Sequence, residues 1–164
     1  MYENFLLDIL NYANNSKETK QAALHWLWGN IDRRRLLLFK DSFRDTEINS
    51  IDEFALLNLI SIKKRITHTQ ACNYLFLERS TVSEMFKRFC FKSIIVIECD
   101  NNDRRIKFIS LTKKGVELVN IANTKMMGLN RTIFGQLVEE NLFLEELKNI
   151  LEIVDNKINF GLNK

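Results

Sequence analysis

The 164 residues contain no proline. Nothing forces a ring-induced break into a helix, and the apolar spacings below predict long ones, so a mainly α fold is expected. No apolar run approaches the ~18 residues of a membrane span, which argues against a transmembrane helix. Met1-Tyr2-Glu3-Asn4 lacks the basic stretch that opens a secretory signal, so the expected location is cytoplasmic. Cysteine is scarce: Cys72, Cys90 and Cys99 show no C-x-x-C spacing. With only His25 and His68 beside them, and those far apart, no metal site is expected. The thiols read as reduced, two of them in or near the core, with Cys99 the one to test for redox chemistry. Both histidines read as structural or exposed. There is no G-x-S-x-G, no P-loop and no H-E-x-x-H, so no catalytic residue and no cofactor is assigned, and the chain reads as not an enzyme.

What is present points elsewhere. Apolar residues make up 46% of the chain, enough for a real core and too many for a disordered polymer. The net charge is +3, but residues 63–114 hold twelve Lys/Arg against five acids. That segment is therefore at +7 and the remainder at −4, the electrostatic footprint of a nucleic-acid reader. A solvated surface would explain charge alone; the elements that carry it decide otherwise.

Within this basic segment, Thr67 and Gln70 have the spacing of a capping box, and Ala71 and Leu75 share the helix face that follows. About three turn residues later, Ser80-Thr81 signals a second helix, with Val82, Phe86 and Phe89 on one face and Thr81, Ser83, Glu84, Lys87 and Arg88 on the other. So short a join makes a helix-turn-helix. The β-branched run Ile94–Ile97 predicts a strand, residues 100–105 a charged turn, and Phe108, Ile109 and Leu111 a second strand. The result is a helix-turn-helix followed by a β-hairpin wing with a basic tip.

Ser80-Thr81-Val82-Ser83, Asp103-Arg104-Arg105 and Leu111-Thr112-Lys113-Lys114-Gly115, in this order and spacing, resemble the MarR family of bacterial transcription regulators. The match covers about residues 51–118, and the flanks resemble the family in helical pattern and length. It is also similar to members linked to fimbrial operons of enteric bacteria. The resemblance implies a dimer whose second helix reads the major groove and whose wing enters the minor groove. Three positions depart from the family pattern: Phe76 and Ser93 stand where glycine is usual, and Ile97 where arginine is. Ser93 must then take a left-handed conformation, or the helix must end differently.

The flanks read as helices. Phe5, Leu6, Ile9 and Leu10 form one stripe, broken at Asn14-Asn15-Ser16. Ser16 or Thr19 caps a helix with Ala22, Ala23, Trp26 and Leu27, which Gly29 and Asn30 interrupt or bend before residues 31–43 continue it. Arg33-Arg34-Arg35 reads as a helix-surface run pairing with acids, with phosphate contact the alternative. Ser50 and Glu53 form a second capping box, opening a helix at Ile51–Ile62 with Phe54, Leu57 and Ile60 inward. Lys63-Lys64-Arg65 ends it, and a short third strand lies around Arg65–Ile66. Thr112 caps a helix over about 113–134 bearing Val116, Val119 and Ala122 or Asn123, and Gly135 ends it. Leu144, Leu147, Ile150, Leu151, Val154 and Ile158 stripe a last helix over about 138–158. Packing within one chain and packing against a second copy both explain that stripe.

The expected organisation is one MarR-like domain, 1–164. Helices of 1–49 and 113–164 serve dimerisation, and 50–112 form a winged helix-turn-helix DNA-binding lobe. The assigned DNA contacts are Thr69, Ser80, Thr81, Ser83, Lys87, Arg88, Arg104 and Arg105. Ser80 as a simple helix cap, and an Arg88 salt bridge to Glu84, are the alternatives at those positions. The Asp103-x-Arg105 pair holds its guanidinium extended for a narrow minor groove. Trp26, Trp28 and Phe39 are candidate walls for a small aromatic effector, with core packing the plainer account. The function expected is a homodimeric, sequence-specific transcription regulator, a repressor, on a pseudopalindromic double-stranded DNA site. The alternative is a winged-helix protein-interaction module that has lost DNA reading.

Overall fold

The computed structural model describes residues 2–162, and side chains over 7–158 apart from Leu10. The elements run α1 (Tyr2–Ala13), α2 (Lys17–Phe43), α3 (Ile51–Lys63), β1 (Arg65–Thr67), α4 (His68–Leu75), α5 (Arg79–Phe91), β2 (Ile95–Cys99), β3 (Lys107–Leu111), α6 (Lys113–Phe134) and α7 (Glu140–Leu162). The fold is mainly helical with a three-stranded antiparallel sheet, as expected. No helix among the described residues is long and apolar enough to cross a membrane. The expected stripe at Phe5, Leu6 and Leu10 lies outside the described side chains.

Local chemistry sets most boundaries. Ser16 opens α2 with a full capping box, its hydroxyl accepting from the Thr19 amide and Thr19 answering on the Ser16 amide. The expected interruption at Gly29 does not occur. The helix runs unbroken for 27 residues, and the Asn30 side chain donates to the Trp26 carbonyl without opening the turn. At Ser50 only half of the expected box forms. Its hydroxyl accepts from the Glu53 amide, but the Glu53 carboxylate turns to the Asn49 amide at 2.6 Å and to Arg88. Thr67 and Gln70 form the complete box predicted for α4.

The chain divides into two compact units, residues 1–125 and 126–164. In the first, Phe39 stacks on Phe43 with centroids 4.1 Å apart, and Phe54 meets both edge-on. Leu56, Leu57 and Ile60 of α3, Val82, Phe86 and Phe89 of α5, Ile66, Ile94, Ile109, Val119 and Ala122 complete a dry core. Val116 is exposed, and Leu118 takes the inward position on that turn of α6. In the sheet, β3 is central, with Ile66 and Ile97 both opposite Ile109. Gly115 sits where α6 crosses the start of the hairpin: a Cβ there would lie 2.1 Å from the Ile94 carbonyl oxygen. Thr112 sets up this crossing, donating to the Ser93 carbonyl at 2.7 Å and accepting from the Gly115 amide at 3.1 Å.

In the second unit, Gly135 ends α6, its amide donating to the Arg131 carbonyl at 2.9 Å. On α7, Leu144, Ile150, Leu151, Val154 and Ile158 are exposed and Leu147 is half-buried.

Candidate nucleic-acid interface

The turn between α4 and α5 is made by Phe76, which adopts the left-handed conformation at φ 53°, ψ 40°. Ser93 does the same at φ 56°, just before β2. These are two of the positions where glycine was the expected residue, and the chain accepts the strain at both.

Helix α5 begins at Arg79, after Glu78. The reading of Ser80 as the cap is therefore corrected: Glu78 is the N-cap residue, and it makes no side-chain cap bond. Ser80 and Thr81 lie inside the first turn, exposed. Spaced along the helix from Ser80 are Glu84 and Lys87, all exposed at i, i+4 and i+7.

The two flanks of this edge behave differently from the expectation. Ser83, expected to face outward with Lys87, is half-buried, its Oγ 2.8 Å from His68 Nε2 on α4. His68 in turn meets Phe86 edge-on and brings Nδ1 within 3.6 Å of Cys72 Sγ. Arg88 departs further from its expected place: its ion pair is with the Glu53 carboxylate of α3, not with Glu84, and it donates from Nη1 to the Glu47 carbonyl at 3.0 Å. The interior offers it a carboxylate and a carbonyl at once, which the planar fork of a guanidinium satisfies better than a single surface acid does. Both flanks of α5 are thus clamped, and Ser80, Glu84 and Lys87 are left on its open edge.

Thr69 is exposed on the first turn of α4, and Gln70 is engaged in capping. On the wing, Asp100 Oδ1 accepts from the amides of Asn102 and Asp103, which folds the tip. Asp103 Oδ1 then accepts from Arg105 Nε at 3.1 Å and Oδ2 from Nη2 at 3.2 Å. The Arg105 side chain remains 92% exposed while making this pair with Asp103. Its guanidinium, and then its amide, hold the Asp103 carboxyl below its ordinary range. Arg104 is exposed beside it.

Arg79 was passed over in the sequence because the helix was taken to start one residue later; it is exposed at the first helical position. Arg65, read in the sequence only as one of the cations that end α3, stacks its guanidinium 4.3 Å from the Phe108 ring centroid. Of the thiols, Cys99 is exposed, while Cys72 and Cys90 are half-buried and burial pushes the Cys90 thiol up. Phe39 lies in the core and Trp28 is exposed, eleven residues or ~16 Å along the same helix, so with Trp26 they do not wall one pocket within a single chain.

Comparison with known structures finds this arrangement repeatedly. BldR from Sulfolobus solfataricus superposes with a TM-score of 0.73 at 21% identity, over 84% of this chain and 98% of that one. A mutant MarR from E. coli complexed with operator DNA superposes with a TM-score of 0.68 at 18% identity, over 80% of this chain and 92% of the other. By fold, this chain is a winged helix of the kind these two proteins share. No family model matches the sequence. Among curated proteins, the chain is similar to the HTH-type transcriptional regulator TcaR of Staphylococcus aureus, 24% identical over 131 residues, 79% of this chain and 84% of TcaR. None of these three names a fimbrial operon, so that part of the resemblance is unsupported. Within the MarR fold, α5 occupies the place of the second helix of the helix-turn-helix, and β2–β3 that of the wing.

Proposed function

We propose that the chain is a homodimeric, sequence-specific DNA-binding transcription regulator that represses from a roughly palindromic site. The observation that carries this reading is Arg105, almost fully exposed yet held by Asp103 at the tip of a hairpin. A freely solvated arginine would not need such a brace, whereas one that enters a narrow groove gains from having its conformation set beforehand. Ser80 and Lys87 on the open edge of α5, with Thr81 exposed beside them, supply hydroxyl and ammonium donors for phosphates and base edges. Thr69, Arg79 and Arg104 add backbone contacts. Glu84 stands among these cations, where it repels phosphate and is useful only against a base amino group, as an acceptor for cytosine N4.

The relatives support the regulatory part: TcaR is named a transcriptional regulator, and the E. coli MarR mutant is complexed with operator DNA. Duplication is supported by apolar faces left open at both ends of the chain. On α2 these are Leu24, Trp28, Ile31 and Leu38, and on α7 Leu144, Ile150, Leu151 and Val154. Two copies related by a two-fold axis would place their reading helices about one turn, ~34 Å, apart.

The test is a gel shift of the purified protein on the DNA upstream of its own gene at two salt concentrations. A shift that weakens steeply with salt is expected. No shift at the lower salt removes DNA from the account and leaves the protein-interaction module.

A further inference from the structure

We infer that Arg88 is a positioning residue for DNA reading rather than a DNA contact, and that Glu47 is the hub through which it holds the reading helix. The inference rests on the DNA-binding reading above, but its geometry stands by itself. Arg88 Nη2 is shut off from solvent against the Glu53 carboxylate, and that side chain is only 9% exposed. Nη1 reaches out of α5 to the Glu47 carbonyl, 41 residues away in sequence. Glu53 is itself fixed, since its other oxygen takes the Asn49 amide. The charge of Arg88 is thereby matched inside the protein, and no counterion is released when DNA arrives beside it.

Glu47 does two things at once. Its carbonyl receives Arg88, and its carboxylate receives Lys114 Nζ at 3.0 Å. The same ammonium donates to the Lys92 carbonyl at 3.0 Å, at the residue that closes α5. The C-terminal end of α5 is therefore tied twice to one residue of the α2–α3 connection, once through Arg88 and once through Lys114. Two residues earlier in that connection, Asp45 pairs with Lys125 of α6 at 2.9 Å. A shift of α2 or of the first half of α6 reaches α5 through residues 45–47. Such a connection of packed and bonded groups transmits displacement between elements.

Charge alone and positioning predict opposite signs for one substitution. Glu47→Gln removes a negative charge from a DNA-binding lobe and, by electrostatics alone, should tighten binding. The change leaves the carbonyl that receives Arg88 and weakens the tie to Lys114; if Glu47 is the hub, losing that second tie loosens the end of α5 and weakens binding, by about tenfold, equivalent to ~1.4 kcal/mol. Glu47 is partly exposed, so the variant folds without leaving a buried charge behind. The second comparison is between neighbours. Lys87→Ala should reduce the slope of log K against log salt by ~0.9, as a lost phosphate contact does, while Arg88→Met should weaken binding and leave the slope as it is.

The decisive experiment measures operator affinity across a salt series for the full-length wild type, Glu47→Gln, Lys87→Ala and Arg88→Met. Amide exchange over residues 86–94 is followed on the DNA-free proteins. Weaker binding by Glu47→Gln, an unchanged slope for Arg88→Met and faster exchange in both are expected. Tighter binding by Glu47→Gln, or a slope lowered by about one unit in Arg88→Met, overturns the assignment. If the wild type binds no DNA, the functional reading fails by itself. Unchanged exchange in Glu47→Gln then overturns the hub as well, and faster exchange upholds it as the brace of α5.

Discussion

At the scale of residues, the wing depends on one brace. Arg105→Ala should weaken operator binding by about ten- to a hundredfold, as loss of a groove contact worth ~1–3 kcal/mol would, and leave oligomeric state untouched; fluorescence anisotropy and gel filtration on the same preparation check both halves. Asp103→Asn should act in the same direction by a smaller amount, because the guanidinium survives and only its orientation is lost. The pH dependence has a definite sign. Asp103 is held below its ordinary value by Arg105, so the brace is fully present above that ordinary value and is lost only as pH falls through the lowered one. Its contribution should be flat from about pH 5 to 8, and a carboxyl titration followed by NMR should find Asp103 still ionised where exposed aspartates are half protonated. At Glu84, replacement by Gln should relax discrimination at one base pair without abolishing binding, which a selection from randomised sites would read directly.

At the scale of elements, α5 is placed by its flanks. His68 holds the Ser83 side and Glu53 and Glu47 hold the Arg88 side. Much of the surrounding frame was legible in the sequence, because it is written in short-range chemistry. Thr67 and Gln70 announced α4, and Asp103 and Arg105 announced their own pairing. The glycine-favouring position at Ser93 announced the left-handed backbone that Ser93 adopts, and Phe76 adopts one as well. What could not be read was long-range. Nothing local in residues 80–91 indicates that the partner of Arg88 is Glu53 rather than Glu84, since Glu53 is brought beside it only by the tertiary fold. The same partner removes Glu53 from its expected box at Ser50. Gly29 was overweighted as a breaker, although one glycine in a long helix costs only ~1 kcal/mol. Two stability predictions belong here. Phe76→Gly should raise the melting temperature, relieving about 1 kcal/mol of left-handed strain at a 70% exposed side chain. Gly115→Ala should lower it by ~2 kcal/mol or more, because the new methyl would meet the Ile94 carbonyl. Thermal denaturation checks both.

At the scale of the whole molecule, the exposed apolar faces of α2 and α7 are what the proposed second copy would cover. Each large side chain among them gains roughly 1.5–3 kcal/mol when covered, so four or five outweigh a typical cost of association. Leu144→Glu with Leu151→Glu should therefore yield a folded single copy whose operator affinity collapses, because one head makes only half of the phosphate contacts. The central claim is that two joined reading heads grip one duplex. Sedimentation velocity of the protein mixed with a labelled duplex from its own upstream region, run at a low and a raised salt concentration, tests it most directly. The account predicts two copies per duplex at low salt and release of both together as salt rises. A single copy travelling alone past unbound duplex in dilute buffer would contradict it.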